Sequence, residues 1–216
     1  MNMLRHEHAL WSASKKLRLA GIDEAGRGPL AGPVVAAAVS IPAKLAQSLY
    51  DGALTELTDS KRLTAARRDE FFALLTTHSG VQFGIGIVEA EEIDQINILN
   101  ATWLAMRRAV ENLPVLPGHV LVDGLPVKGL PCPSTAIVKG DSKSLLIAAA
   151  SVIAKVTRDR LMAELDRAHP VYEFAANKGY GTAMHVRALR QHGPCPQHRR
   201  TFRPVADVLS FFPGFE

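Results

Sequence analysis

Four carboxylates interrupt otherwise apolar stretches of this chain. Asp23 and Glu24 follow the run Leu17–Ile22, Asp123 follows Val120–Val122, and Asp141 stands just before the apolar stretch that begins at Leu145. Carboxylates in such numbers suit phosphoryl transfer. In phosphodiester hydrolysis both the attacking water and the leaving oxygen gather negative charge. Two divalent cations roughly 3.5–4 Å apart can stabilise both, and hard cations of the Mg²⁺ or Mn²⁺ type bind several carboxylates at once. Each residue also has a plainer account. Asp23-Glu24 runs into Gly26-Arg27-Gly28 and fits an ordinary turn. Asp123-Gly124 is a common turn pair, and Asp141-Ser142 fits a helix N-cap. Neighbouring strand residues point to opposite faces, so Asp23 and Glu24 share one site only if the strand ends or bulges there.

Sequence spacing alone does not bring these residues together; the elements around them must. Strands are predicted over 17–25, 32–41 and 81–88, the last interrupted by Gly84 and Gly86, and again over 119–122 and 135–138. Early strands joined by a short turn predict an antiparallel start. Helices are predicted over 64–77 with Thr64 as N-cap, over 97–113, over 142–168 and over 182–192. Strands first, then strand and helix in alternation, then helices, predict a mixed-sheet α/β or α+β domain. Residues 1–16 read as a loose, flexible polar lead-in.

The 216 residues are 47% hydrophobic and 21% charged, which excludes a disordered or collagen-like chain. The net charge of +4 is unevenly placed: residues 139–216 hold twelve basic and seven acidic residues, and the remainder is close to neutral. The stretch 185–203 carries five arginines (Arg187, Arg190, Arg199, Arg200 and Arg203) and no acidic residue, as expected of a duplex-binding surface. Cys132 and Cys195 are too few for a disulfide framework, and no apolar run is long enough to span a bilayer. The residues Met1–Lys16 contain no apolar core of the signal-peptide kind. A cytoplasmic protein is expected. Cys195, His192 and His198 fit no standard zinc spacing.

The segment Gly21-Ile22-Asp23-Glu24-Ala25-Gly26-Arg27-Gly28-Pro29-Leu30-Ala31-Gly32-Pro33-Val34-Val35 resembles the signature of the type 2 ribonucleases H, specifically bacterial ribonuclease HII. Four more blocks match in order. They are Thr58-Asp59-Ser60-Lys61, then Leu121-Val122-Asp123-Gly124, then Lys139-Gly140-Asp141 with the helix block from Ala148 to Asp159, and Lys178-Gly179-Tyr180-Gly181-Thr182 with His185. The resemblance covers roughly residues 17–205. It implies a ribonuclease H-like fold: a five-stranded mixed sheet flanked by helices, with a small helical C-terminal extension. The corresponding division is a lead at 1–16, a catalytic domain at 17–168 and a helical substrate-binding part at 169–216.

The resemblance further implies endonucleolytic cleavage of RNA in RNA–DNA hybrids, and cutting 5′ of single ribonucleotides embedded in duplex DNA. Two-metal-ion hydrolysis would leave 3′-hydroxyl and 5′-phosphate ends, in a protein of DNA replication and repair. Asp23, Glu24, Asp123 and Asp141 would then hold two Mn²⁺ or Mg²⁺ ions. Gly26, Arg27 and Gly28 would approach the ribose, whose 2′-hydroxyl separates RNA from DNA. Tyr180 would pack on the neighbouring sugar, and Lys61 would contact a backbone phosphate. Asp159 is expected to be structural, paired with Lys155 one helical turn earlier. The tail 205–216 contains Phe211-Phe212, the kind of aromatic pair with which some replication proteins dock a sliding clamp. The usual leading glutamine is replaced by Val205, and an end that packs on the body accounts for the segment as well. A monomer is expected. The alternative function is a hybrid-binding module without catalysis.

Overall fold

The structure, a computed structural model, describes residues 2–210. Its centre is a five-stranded sheet in the order β3-β2-β1-β4-β5, built from β1 (Leu19–Ala25), β2 (Val34–Ser40), β3 (Gln82–Val88), β4 (His119–Asp123) and β5 (Ser134–Ile137). β1, β2 and β3 pair antiparallel, whereas β4 runs parallel to β1 and β5 parallel to β4. The antiparallel start therefore holds, and the mixed sheet is the one expected.

Two helical layers cover the sheet. On one face lies α5 (Leu145–Ala168), with α2 (Ala43–Tyr50) and α3 (Ala65–Thr77) beside it; on the other lies α4 (Ala90–Glu111). Strand alternation sorts the side chains: Leu19, Ala37 and Val39 face the α5 layer, and Ala20, Ile22, Ala36 and Ala38 face α4. The layers sit close because the contact residues are small. A Cβ on Gly21 would overlap the backbone of Leu146 and Ile147, and one on Gly86 would overlap that of Ala105. Some helix boundaries fall where the sequence indicates. The Thr64 hydroxyl accepts the Arg67 N–H at 3.2 Å and starts α3. Asn97 breaks α4 with φ 65°, and its side chain accepts the N–H groups of Leu99 and Asn100. The helix predicted from 97 is thus the second part of α4, preceded by a segment from Ala90 that periodicity did not reveal.

The N-terminal lead is not loose. Residues Arg5–Ala13 form α1, with Glu7 and Trp11 buried. Glu7 reaches the start of α5, where its Oε1 accepts the Ser144 hydroxyl at 2.6 Å and the Leu146 N–H at 3.2 Å. A carboxylate there complements the positive end of the helix dipole. After α5 the chain forms the short α6 (Phe174–Asn177), then α7 (Ala183–His192) and α8 (Arg203–Leu209). Val205 and Val208 of α8 are buried with Leu30 and Leu189, so the described part of the tail packs on the body. Phe211 and Phe212 lie outside the described residues. Among the described residues no helix is long and apolar enough to cross a membrane.

Candidate active site

The parallel pairing of β1 with β4 makes the site. Their register runs to Ile22 opposite Val122, so Asp123, the last residue of β4, comes beside Asp23, which lies two residues before the end of β1. Carboxyl ends of neighbouring strands, where the connections diverge, are a recurrent ligand position in open α/β sheets. Asp141 arrives from a different direction, in the single 3₁₀ turn Gly140–Ser142 that leads into α5. The Gly140 N–H donates to Asp123 Oδ1 at 2.6 Å and ties this turn to the end of β4. The α5 N-cap is Ser144, whose hydroxyl accepts the Ile147 N–H at 3.2 Å, so the helix starts later than predicted and Asp141 is not its cap. Asp23, Asp123 and Asp141 thereby each present a carboxylate oxygen within 4.8 Å of the others.

Glu24 is not one of these three; it lines the cavity beside them together with Ser60, Lys61 and Ser151. It remains close enough for Asp123 to act on its charge, and Arg27 lies 3.4 Å from it. The Glu24 N–H donates to Asp23 Oδ1 at 2.7 Å. Ser151, on α5, is near enough to Asp23 to favour its charged form, and its hydroxyl shares a hydrogen bond with that of Ser60 at 2.9 Å. Burial is the main influence on Asp23, Glu24 and Asp141. It pushes the Asp23 carboxyl well above the ordinary carboxylate range, and the charges of Glu24 and Asp123 raise it further. Asp141 is raised by burial and then by Asp123 and Asp59. Glu24 is raised by burial against the opposing pull of Arg27.

Among the described residues, none of the three clustered aspartates has an ion pair. Three hard oxygen donors are thus held together, desolvated, against their own repulsion and without a side-chain counter-ion. That donor set fits a divalent cation of the Mg²⁺ or Mn²⁺ type.

Beside the carboxylates is a cavity of about 340 Å³. Its lining brings Glu24, the Gly26-Arg27-Gly28 loop and Tyr180 together with Ser60, Lys61, Ser151 and Lys155. Tyr180 is 47% exposed. A Cβ on Gly28 would come 3.6 Å from its ring, so the glycine lets the loop backbone lie beside the tyrosine. Lys61 is exposed and close enough to act on the charges of Glu24 and Asp141. The Lys155–Asp159 ion pair predicted on α5 is present at 2.6 Å.

The family model for ribonuclease HII matches residues 20–205. Curated relatives with that name include one from Geobacillus kaustophilus, 53% identical over 207 residues, which cover 96% of this chain and 76% of the relative. Another, from Xanthomonas oryzae pv. oryzae, is 48% identical over 209 residues, covering 96% and 80%. The chain belongs to the ribonuclease HII family. It is accordingly a ribonuclease H, a metal-dependent hydrolase. Among solved structures, the ribonuclease H2 of Pyrococcus horikoshii OT3 superposes with a TM-score of 0.74 at 27% identity, over 92% of this chain and all of that one. An RNase HII of Archaeoglobus fulgidus, solved as a complex with PCNA, superposes with a TM-score of 0.65 at 25% identity, over 86% and 95%. Bst-RNase HIII in complex with Mn²⁺ shares the fold, with a TM-score of 0.71 at 18% identity, over 90% and 70%.

Several residues of this ribonuclease HII site do not emerge from the sequence reading. Arg199, expected on the duplex-binding surface, is fully buried, as are His185 and His198; Arg187, Arg190, Arg200 and Arg203 are exposed. The Arg199 guanidinium donates to the carbonyls of Gly26 (2.6 Å), Arg27 (3.0 Å) and Gly32 (2.8 and 3.0 Å). Arg158, buried on α5, donates to those of Ala31, Pro33 and Lys178 at 2.9–3.1 Å. Neither forms an ion pair among the described residues, and burial pulls their pKa values down to about 9 and about 10. With its carbonyls turned inward onto these guanidiniums, the glycine-flanked loop is fixed from behind. A single hint was available: Arg158 follows Ala154 at helical spacing on the apolar face of α5, where a solvated arginine has no place.

Proposed function

We propose that this ribonuclease HII hydrolyses the RNA strand of RNA–DNA hybrids and cuts 5′ of ribonucleotides embedded in duplex DNA, by two-metal-ion hydrolysis that leaves 3′-hydroxyl and 5′-phosphate ends, in ribonucleotide removal during DNA replication and repair. The observation that carries the reading is the convergence of Asp23, Asp123 and Asp141 beside a cavity lined by Glu24, the Gly26-Arg27-Gly28 loop and Tyr180.

Asp23, Asp123 and Asp141, with Glu24 at their edge, hold the metal ions, either Mn²⁺ or Mg²⁺. When bound, such ions supply charge stabilisation at the phosphate and lower the pKa of water. The chain's own groups place the substrate. The Gly26–Gly28 backbone, unobstructed by Cβ atoms at both glycines, approaches the ribose closely enough to read the 2′-hydroxyl. The Tyr180 ring packs against the neighbouring sugar and excludes water from the junction. Lys61 and Arg27 meet backbone phosphates, Arg27 doing so from a position where it also neutralises Glu24. The exposed Arg187, Arg190, Arg200 and Arg203 add sequence-independent affinity for the duplex.

The test is cleavage of a duplex carrying one ribonucleotide, mapped at nucleotide resolution with Mn²⁺, with Mg²⁺ and with EDTA. The expected product is a single cut on the 5′ side, absent in EDTA. Asp123→Asn is expected to bind the hybrid and not cut it. Binding without cleavage by the wild-type chain under every metal condition would favour the hybrid-binding module instead.

A further inference from the structure

Behind the exposed ring of Tyr180 lies a buried pair of histidines that the chemistry above does not use. His185, in the first turn of α7, has no accessible surface, and His198 is 1% exposed. Their Nε2 atoms are 3.0 Å apart. Around them pack Tyr172, 4.7 Å from the His198 ring centre, and Phe174, 5.4 Å from that of His185.

Hydrogen-bond bookkeeping leaves one arrangement of protons. His198 Nδ1 lies 3.0 Å from the Cys195 N–H, which can only donate, so Nδ1 is an acceptor. His198, neutral, then carries its proton on Nε2. His185 Nδ1 lies 2.9 Å from the Tyr180 carbonyl, which can only accept, so Nδ1 carries the His185 proton and its Nε2 is bare. The two Nε2 atoms are therefore one donor and one acceptor. Every step points the same way: Cys195 N–H to His198, His198 to His185, His185 to the Tyr180 carbonyl. Burial disfavours a second proton on either ring, holding His198 down at about 3. That second proton would also set two N–H groups against each other.

We propose that His198 and His185 are positioning residues, a one-directional relay that fixes the Tyr180 backbone and thereby the angle at which its ring meets the substrate. This rests on the reading of Tyr180 as a sugar contact. The carbonyl is held from two sides, since the Thr182 N–H also donates to it at 2.8 Å. The residues before Tyr180 turn sharply, with positive φ at Lys178 and Gly179 (53° and 79°), and are held separately, the Lys178 carbonyl by Arg158 and the Gly179 carbonyl by the Leu30 N–H; the histidines hold the far end of this turn. The relay gives the specificity loop a fixed anchor in the body of the protein.

The experiment has two arms. ¹⁵N-histidine NMR of the full chain at neutral pH is expected to show His185 protonated at Nδ1 and His198 at Nε2; either ring in the other tautomer, or charged, overturns the relay. Kinetics then compare an embedded ribonucleotide with a long hybrid. His185→Ala is expected to lower the kcat/KM ratio between the two substrates about tenfold, equivalent to about 1.4 kcal/mol. His185→Asn, whose amide can donate from the Nδ1 position, restores most of it. In a Tyr180→Ala background His185→Ala adds little, because the two act through one ring. If Tyr180→Ala lowers the ratio and His185→Ala does not, the relay is wrong while the sugar contact stands. If Tyr180→Ala leaves the ratio unchanged, the sugar contact is wrong, and the specificity role of the relay falls with it. Equal losses on both substrates, additive with Tyr180→Ala, would mean that the histidines only support the fold.

Discussion

Replacing Asp23 by asparagine should abolish cleavage in the presence of metal and, in the metal-free protein, raise stability. Asp23 is 6% exposed, and its carboxylate lies within 4.8 Å of two others. At an effective dielectric of about 20, two unit charges at that separation repel by about 3 kcal/mol. The wild-type chain relieves part of this by holding the Asp23 proton, which is the physical content of its raised pKa. Asparagine removes the charge while its Oδ1 can still accept the Glu24 N–H, now 2.7 Å from Asp23 Oδ1. The loss of charge assistance in that bond costs about 1 kcal/mol. A net gain of about 2 kcal/mol remains, or about 4–8 °C in Tm for a chain of this length.

The pH dependence fixes the sign. A carboxyl whose folded pKa lies above its unfolded value of 3.8 imposes no penalty below pH 3.8. Its penalty grows as pH rises towards the folded pKa. The advantage of Asp23→Asn should therefore be largest in EDTA at about pH 8 and shrink as pH falls towards 3.8. Thermal unfolding followed by circular dichroism, with and without Mn²⁺, is the assay. Mn²⁺ should raise the wild-type Tm and leave that of the variant nearly unchanged, since a ligand stabilises only the state that binds it. A variant that melts at or below wild type in EDTA would refute the repulsion. An equal Mn²⁺ shift in both proteins would remove Asp23 from the metal site.

Two further perturbations test the frame around the carboxylates. Gly21→Ala places a Cβ against the backbone of Leu146 and Ile147, which no side-chain rotation relieves, so urea unfolding should show a loss of about 3 kcal/mol; an unchanged midpoint would mean that β1 and α5 can separate freely. Arg199→Leu leaves the carbonyls of Gly26, Arg27 and Gly32 without their donor, so trypsin should cut after Arg27 much faster than in wild type while the far-UV spectrum is retained; equal cleavage rates would show that the guanidinium does not order the loop.

The sequence pattern located the elements well and their meeting poorly. All five strands and the cores of four helices follow from alternation, helical spacing and caps such as Thr64. The approach of Asp23 to Asp123 follows from the parallel pairing of strands far apart in sequence, and no local signal encodes that pairing. Motif resemblance supplied the set of four; the structure brings Asp23, Asp123 and Asp141 within 4.8 Å of one another and sets Glu24 on the adjoining cavity. The last arginine stretch misled for a related reason: charge density along the chain does not reveal which guanidiniums turn inward. Helix α1 escaped notice because its buried face contains a glutamate, and Glu7 is buried only because the α5 N-terminus is there to receive it.

The inward turn of Arg158 and Arg199 also bears on how an acidic site receives a polyanion. Carboxylates that repel one another repel phosphates as well, and a net charge of +4 offers only modest long-range attraction. Two guanidiniums buried without carboxylate partners change the local field, because their charge is screened by carbonyl dipoles and not cancelled. Arg158 lines the cavity and Arg199 underlies the Gly26–Gly28 loop that walls it. On the proposed function, the amides that would approach the substrate therefore stand between its phosphate and a positive charge behind them. The loop is at once held in shape and made attractive to an anion by the same two side chains, next to carboxylates that need metal ions before a phosphate can come near.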